Sequence, residues 1–292
     1  MNSKISIIGA AGNMGNRACE RLGGDPQYHV FMVEGNEAGV AKLEERGYQA
    51  TLAEDAVPAS DVVLLAVPDR AISVASAAIV PLMKPGAMVI CLDPAAPHAK
   101  RILLRDDLAY FVTHPAHPPV FNDEADLTSR RDFFGSGLAK QAVVSALMQG
   151  SEADFARGEE IACRMFGPVL RTHRVTVEQM AILEPALSET LAATCLSVIR
   201  RGMDIAIERG VPADAARDFI MGHINIELAI IFDEIDWQFS AGAQEAMRIA
   251  RRRLFRDDWE NIFTPEEVLA SVHRITALEE SPAQSNGNGR SH

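Results

Sequence analysis

Ile5-Ser6-Ile7-Ile8-Gly9-Ala10-Ala11-Gly12-Asn13-Met14-Gly15 runs from a short apolar strand straight into three glycines, and residues 16–22 then carry helix character. In that order, the turn and the helix start present unpaired backbone N–H groups and the positive dipole end to a pyrophosphate. Gly12 lets backbone approach a ligand closely, and Gly15 permits tight packing of the helix. The spacing is GxxGxxG, where the commoner form is GxGxxG, and many glycine-rich turns only turn the chain. Its place directly after the first strand is what favours a dinucleotide seat. Gly9, Ala11, Gly12, Asn13, Met14 and Gly15 are the candidate contacts.

Further apolar runs at 29–33, 61–67, 88–92 and 109–113 alternate with helical patterns. Consecutive apolar positions are what strands buried on both faces require, and helices between them give the crossovers of a parallel sheet. Runs at 142–148 and 168–172 extend that sheet to about residue 175. Beyond it strand signals stop and 3.6-period segments take over. The expected fold is α/β: an N-terminal Rossmann-type, doubly wound parallel sheet (1–175) followed by an all-helical domain for substrate and dimerisation (176–280). The polar, Gly-containing segment 281–292 is expected to be disordered. Pro185, inside the first long helical segment, predicts a kink or a broken turn.

The second run ends Val33-Glu34, about twenty residues beyond the glycines, where a carboxylate accepts the adenosine ribose hydroxyls and repels a 2′-phosphate. NAD is therefore favoured over NADP, the alternative being that Glu34 only faces solvent. Ala66-Val67-Pro68-Asp69 ends another strand at the carboxyl edge, where a turn fixed by Pro68 would pack backbone against the cofactor. Asp93-Pro94 closes the next strand in the same way, and both also read as plain strand-ending turns.

With 292 residues, 48% of them hydrophobic and 23% charged, the chain has the material for a globular core. Its 28 Lys and Arg stand against 40 Asp and Glu, a formal charge of −12, which argues against nucleic acid or an anionic membrane as partner and for a small molecule. Cys19, Cys91, Cys163 and Cys195 show no zinc or redox spacing and read as reduced thiols of a cytoplasmic protein. The first residues lack a signal-peptide pattern, and no run of ~20 apolar residues is uninterrupted.

Together these features resemble the superfamily of 6-phosphogluconate, 3-hydroxyacid and prephenate dehydrogenases. Four segments narrow the resemblance: Phe111-Val-Thr-His114-Pro-Ala-His117-Pro-Pro-Val-Phe-Asn-Asp-Glu124, Arg130-Arg-Asp-Phe-Phe-Gly135, Ala139-Lys140-Gln-Ala-Val143, and the stretch from Val175 to Thr190 with Glu184, Pro185 and Glu189. They look like the D-apionate oxidoisomerase family, and the double His-Pro segment is the most specific part. The resemblance implies NAD-dependent oxidation of a branched sugar acid coupled to a carbon-skeleton rearrangement, and the superfamily implies a homodimer through the helical domain. One departure from the wider superfamily is plain: its phosphogluconate and 3-hydroxyacid members take a catalytic lysine from the helical domain, and this chain has no lysine after Lys140.

His114 ends a strand at the carboxyl edge, and the resemblance makes it the substrate-hydroxyl contact. A neutral imidazole there can accept the alcohol proton or ligate a divalent metal. Glu184 lies in an apolar stretch where burial is costly unless a metal or a substrate hydroxyl compensates it. His114 and Glu184 are therefore the hypothesised ligands of a divalent metal, a Lewis acid suited to the rearrangement; a solvated face is the plainer reading of Glu184, and more so of Glu178 and Glu189. Lys140 is the favoured cation for the substrate carboxylate, with Arg130 and Arg131 as alternatives that also read as surface charges. His117 is either a second substrate contact or a histidine capping a rigid loop. His223 and Asn225 either complete the cleft, across a dimer, or form a buried pair. The Met and Phe stripe Met203, Phe219, Met221, Phe232, Phe239 and Met247 reads as helix core or dimer interface.

The leading expectation is an NAD-dependent oxidoisomerase with catalytic His114, Glu184 and Lys140. The alternatives are a 2- or 3-hydroxyacid dehydrogenase without rearrangement, and a non-catalytic NAD-sensing module.

Overall fold

In the computed structural model residues 2–277 are described, so the expectation for 281–292 lies outside them. Seven strands form one sheet: β1 Ser3–Ile8, β2 Tyr28–Val33, β3 Val62–Leu65, β4 Met88–Cys91, β5 Ala109–Pro115, β6 Gln141–Gln149 and β7 Val169–Arg174, in the order β2-β1-β3-β4-β5-β6-β7. The consecutive apolar residues are used as the period of a strand dictates. Ile5, Ile7, Leu64, Ile90 and Phe111 turn to one face, where they pack with Leu22 of α1 (Asn13–Gly23) and Met165 and Phe166 of α7 (Glu152–Phe166). Ile8, Val63, Leu65, Val89, Tyr110 and Val112 turn to the other, against Val57 of α3 (Ala53–Ala59) and Ile72 and Ile79 of α4 (Asp69–Ile79).

Strands β1 to β5 are parallel, as the sequence predicts, but β6 runs antiparallel to β5 and β7 runs parallel to β6. The sheet is thus mostly parallel rather than wholly so. The reason lies in residues 116–140. This segment leaves β5 and enters β6 at the same edge, with Pro115 opposite Val143, so no crossover helix carries the chain to the far end. The whole segment stays at the carboxyl edge of the parallel strands.

The chain divides into two compact units, one running to Leu183 and taking in the segment from Leu269, the other Glu184–Val268. The division falls later than residue 175 because α8 (Val177–Ala181) packs on the sheet unit: Val177 and Met180 are buried among its apolar residues. A π-helical segment, Ile182–Ala193, runs across the boundary, and the second unit goes on with α9 (Thr194–Glu208), α10 (Ala213–Ile231) and α11 (Ala241–Leu254); α12 is Pro265–Ala277. Pro185 falls in the π-helical segment. A proline has no N–H to donate and crowds the carbonyl four residues back, and a widened turn relieves both, so the expected irregularity is a widening of the helix. By length and composition, the helical run Val177–Glu208 is apolar enough to cross a membrane, with 11% of its apolar window buried.

Candidate active site

The glycine turn sits where β1, β2 and β3 end. Gly9 has φ +83°, and a Cβ there would lie 2.8 Å from the Ala66 carbonyl oxygen and 2.9 Å from Val67 Cγ1. The turn is therefore seated directly on the end of β3, and Pro68, as the residue before α4, starts the next helix from that point. A Cβ on Gly15 would run into the Gly9 carbonyl oxygen. Gly12 differs: its φ is an ordinary −68°, and an added Cβ would meet the nearest protein atom at 3.4 Å. The fold leaves room for a side chain at Gly12, so the space over the turn is open to a ligand. No side chain caps the N-terminus of α1, which leaves its first amides for a ligand. Gly9, Ala11, Gly12, Asn13, Met14 and Gly15 thus form a cradle suited to a dinucleotide.

Glu34 follows β2 and turns back onto this cradle. Its Oε1 accepts the Ala11 N–H at 2.5 Å, and its other oxygen lies where a Cβ on Gly39 would be. Gly39 is buried and its N–H is held by Asn36, the N-cap of α2 (Glu37–Glu45). The carboxylate is thus held by the Ala11 amide, and the missing Cβ of Gly39 leaves room for its second oxygen. Arg46, just past α2, donates to the Ala11 carbonyl at 3.1 Å and to Asn16 Oδ1 at 2.9 Å, tying the same turn from outside. Sequence reading missed Arg46, which acts on residues 30 and 35 positions back, and also Asn36 and Gly39, which act locally, as an N-cap and as the space beside Glu34.

At the carboxyl edge of β5, His114 Nδ1 is 2.7 Å from the Leu92 carbonyl. A carbonyl only accepts, so Nδ1 carries the hydrogen and Nε2 keeps a lone pair. Burial pushes the ring below the usual imidazole range and outweighs the opposing pull of the Leu92 bond and of Asp93; His117 and Arg17 push the same way. The residue is a neutral base at pH 7.

His117 has a left-handed backbone, φ +60°, and its Nδ1 donates to the Phe134 carbonyl at 3.0 Å. That carbonyl also accepts Arg17 Nη1 at 3.2 Å. Arg17 projects from α1, is 4% exposed, and lies over the rings of Phe134 and Phe166 at 5.3 and 5.0 Å. Burial lowers its guanidinium pKa to about 10, against the pull of the nearby Asp132 charge. Asp132 in turn accepts the amides of Ser136, Gly137, Leu138 and Ala139 at 2.7–3.2 Å. Burial would raise its carboxyl, but the Ser136, Leu138 and Ala139 amides overcome this and hold it at about 2. Residues 116–140 are thus tied to the cofactor helix. The Arg130–Gly135 segment signalled likeness, but gave no sign that Asp132, rather than its arginines, does this.

Lys140 is exposed just before β6, and its N–H donates to Glu124 Oε1 at 2.8 Å. Arg130 Nε is used within the segment, on the Glu124 carbonyl at 2.7 Å, and Arg131 is exposed. In the second unit, Glu184 is half-buried in the π-helical segment, with Pro185 and Ala186 buried beside it, and Glu189 is exposed. His223 and Asn225 are exposed rather than a buried pair; His223 bonds the Phe219 carbonyl one turn back at 2.8 Å and stacks on its ring. Among the described residues, no three His, Cys, Asp or Glu side chains gather as a metal-holding group.

A glycine cradle beneath a bare helix start, an acidic end to β2 and a neutral histidine at the carboxyl edge define a dinucleotide-dependent oxidoreductase of the Rossmann class. Residues 122–276 match the family described as phosphogluconate dehydrogenase (decarboxylating) C-term, and residues 4–94 match that described as NADP oxidoreductase coenzyme F420-dependent. The chain is 50% identical to a D-apionate oxidoisomerase of Rhizobium rhizogenes, covering 93% of this chain and 99% of that one, and 49% identical to one of Cupriavidus necator, covering 94% and 100%. A crystal structure of a semialdehyde dehydrogenase NAD-binding protein from Cupriavidus necator, in complex with calcium and NAD, superposes with a TM-score of 0.91 at 49% identity, over 94% of this chain and 100% of that one. The chain belongs to the D-apionate oxidoisomerase family.

Proposed function

We propose that this protein is an NAD-dependent oxidoisomerase that oxidises a branched sugar acid of the D-apionate kind and rearranges its skeleton to a 3-oxo-isoapionate-type product. Its near full-length likeness to D-apionate oxidoisomerases carries the reading. Asn13, Met14 and Gly15 present the first amides of α1 to the pyrophosphate, Gly9, Ala11 and Gly12 shape the turn beneath it, Glu34 takes the adenosine ribose, and Ala66, Val67, Pro68 and Asp69 flank the cofactor. Bound NAD supplies the hydride acceptor. His114 Nε2 takes the proton of the alcohol being oxidised, and Lys140 serves as the cation for the substrate carboxylate. Glu34, an anion held in place, favours NAD over its 2′-phosphorylated form.

Incubation with NAD and a panel of branched and linear aldonates, followed by NADH absorbance and product NMR, tests the reading. A rearranged oxo acid from D-apionate supports it. An unrearranged oxo acid would make the protein a simple hydroxyacid dehydrogenase, and NAD binding without turnover of any aldonate would make it a sensor.

A divalent cation is a separate part of the proposal. The one free lone pair of His114 is assigned to the proton, and the calcium in the Cupriavidus necator structure points to oxygen donors, so Glu184 is the ligand assigned here in place of the His114–Glu184 pair. Chelator-treated enzyme is expected to lose most of its activity and to recover on addition of divalent ions; full activity after chelation would remove the cation from the reading.

We further propose a cytoplasmic homodimer formed through the helical unit. Its helices leave large apolar side chains exposed, among them Val198, Phe219, Met221 and Leu254, and the four cysteines are free thiols.

A further inference from the structure

His114 and His117 stand with ring centroids 6.1 Å apart and planes at 80°. Each Nδ1 is committed to a carbonyl oxygen, Leu92 for the first and Phe134 for the second, so each ring keeps its Nε2 lone pair. The backbone is bent to achieve this. His117 adopts φ +60°, a region that side chains with a Cβ seldom occupy, and the Phe134 carbonyl that anchors it is held from behind by the buried Arg17. The fold therefore maintains two bases at one edge, where removal of a single alcohol proton requires one.

Resting on the function proposed above, we propose that His117 is the second proton acceptor of the reaction and serves the rearrangement, while His114 serves the oxidation. The chemistry demands two groups. In the oxidation the C2–H leaves as hydride to NAD, and the C2 hydroxyl proton passes to His114 Nε2, leaving a 2-oxo acid and an imidazolium. His114 is then unable to accept another proton. In the rearrangement the C3 hydroxyl gives its proton to His117 Nε2 as C3–O becomes a carbonyl. The bond from C3 to a hydroxymethyl carbon breaks, and that carbon moves with its electron pair to C2. The π pair of the C2 carbonyl goes to its oxygen, which recovers from His114 the proton lost in the first step. His114 ends neutral, and His117 passes its proton to water. The sum is substrate and NAD⁺ giving 3-oxo product, NADH and one H⁺.

Single-turnover experiments with the NAD-loaded enzyme and D-apionate separate the steps, with NADH followed by absorbance and the carbon skeleton by NMR after a quench containing a carbonyl trap. His117→Gln and His117→Asn remove the base; Asn also suits the left-handed backbone. Both are expected to form NADH within about threefold of the unsubstituted rate, while the rearranged product falls about a hundredfold and the trapped 2-oxo acid takes its place. His114→Gln is expected to lose the NADH phase itself. Unchanged NAD affinity marks the variants as folded. Equal loss of NADH and rearranged product in both His117 variants, or no loss of either, overturns the assignment. If the unsubstituted enzyme itself yields only the 2-oxo acid, the reading of function fails, and the assignment with it.

Discussion

A methyl group added at Gly12 and one added at Gly15 meet different surroundings, although the two residues are three apart. At Gly15 it strikes the Gly9 carbonyl oxygen and comes within 2.8 Å of Ala10 Cα, all backbone, which cannot swing away. At Gly12 it meets only the Gly9 oxygen at 3.4 Å and the Ala66 oxygen at 3.7 Å, with φ in the ordinary range. Gly15→Ala is therefore expected to cost about 1–3 kcal/mol of stability as well as NAD affinity. Gly12→Ala is expected to leave the melting temperature within about 2 °C and to weaken NAD at least tenfold, because its methyl enters only the space of the ligand. Thermal melts and calorimetric titration with NAD check both. A Gly12→Ala protein that binds NAD normally would place the pyrophosphate elsewhere. These two roles were legible in the sequence, since a glycine turn after a first strand has few uses. The seating of Glu34 on the Ala11 amide, in the space left by Gly39, was not, because it depends on how α2 leaves the strand.

Among the elements, the segment between β5 and β6 contributes most to the site and was least legible. Apolar runs disclose strands but not their direction, and the antiparallel return of β6 is what keeps residues 116–140 at the carboxyl edge. A parallel β6 would have required a crossover, and Lys140, just before β6, would not share an edge with His114 and His117. Asp132 organises this segment through four amides, so Asp132→Asn is expected to loosen it. The sign of the pH effect follows from a carboxyl whose pKa is lowered to about 2 in the folded protein. Its contribution, about 2 kcal/mol, is present above the unfolded value near 4 and fades as pH falls through about 2. Denaturant unfolding should therefore show a gap between the unsubstituted protein and Asp132→Asn that is full at pH 6 and narrows steadily below pH 4. A gap independent of pH would assign the effect to packing and not to charge.

At the scale of the whole molecule, the chain has no lysine beyond residue 140, so any cation it brings to an anionic substrate from there is an arginine. It has also to cover the apolar faces of its helical unit. Phe219 and Phe232 are 67% and 65% exposed, and Met221 and Met247 are also open, so the aromatic and methionine stripe is not the interior of a single chain. An open apolar surface of this extent calls for a partner, and a second copy is the one proposed. The run Val177–Glu208, apolar by composition and with 11% of its apolar window buried, adds to that surface. Sedimentation at micromolar concentration is expected to give a dimer. Val198→Asp with Met221→Asp, charges placed on two of those faces, is expected to raise the dimer dissociation constant at least a hundredfold, about 2.7 kcal/mol, with NAD affinity kept because the glycine cradle belongs to the sheet unit. An unsubstituted protein that sediments as a monomer would defeat the dimer. If that monomer also floats with lipid vesicles, the apolar run faces a bilayer; if it stays with the buffer, the stripe is merely solvated.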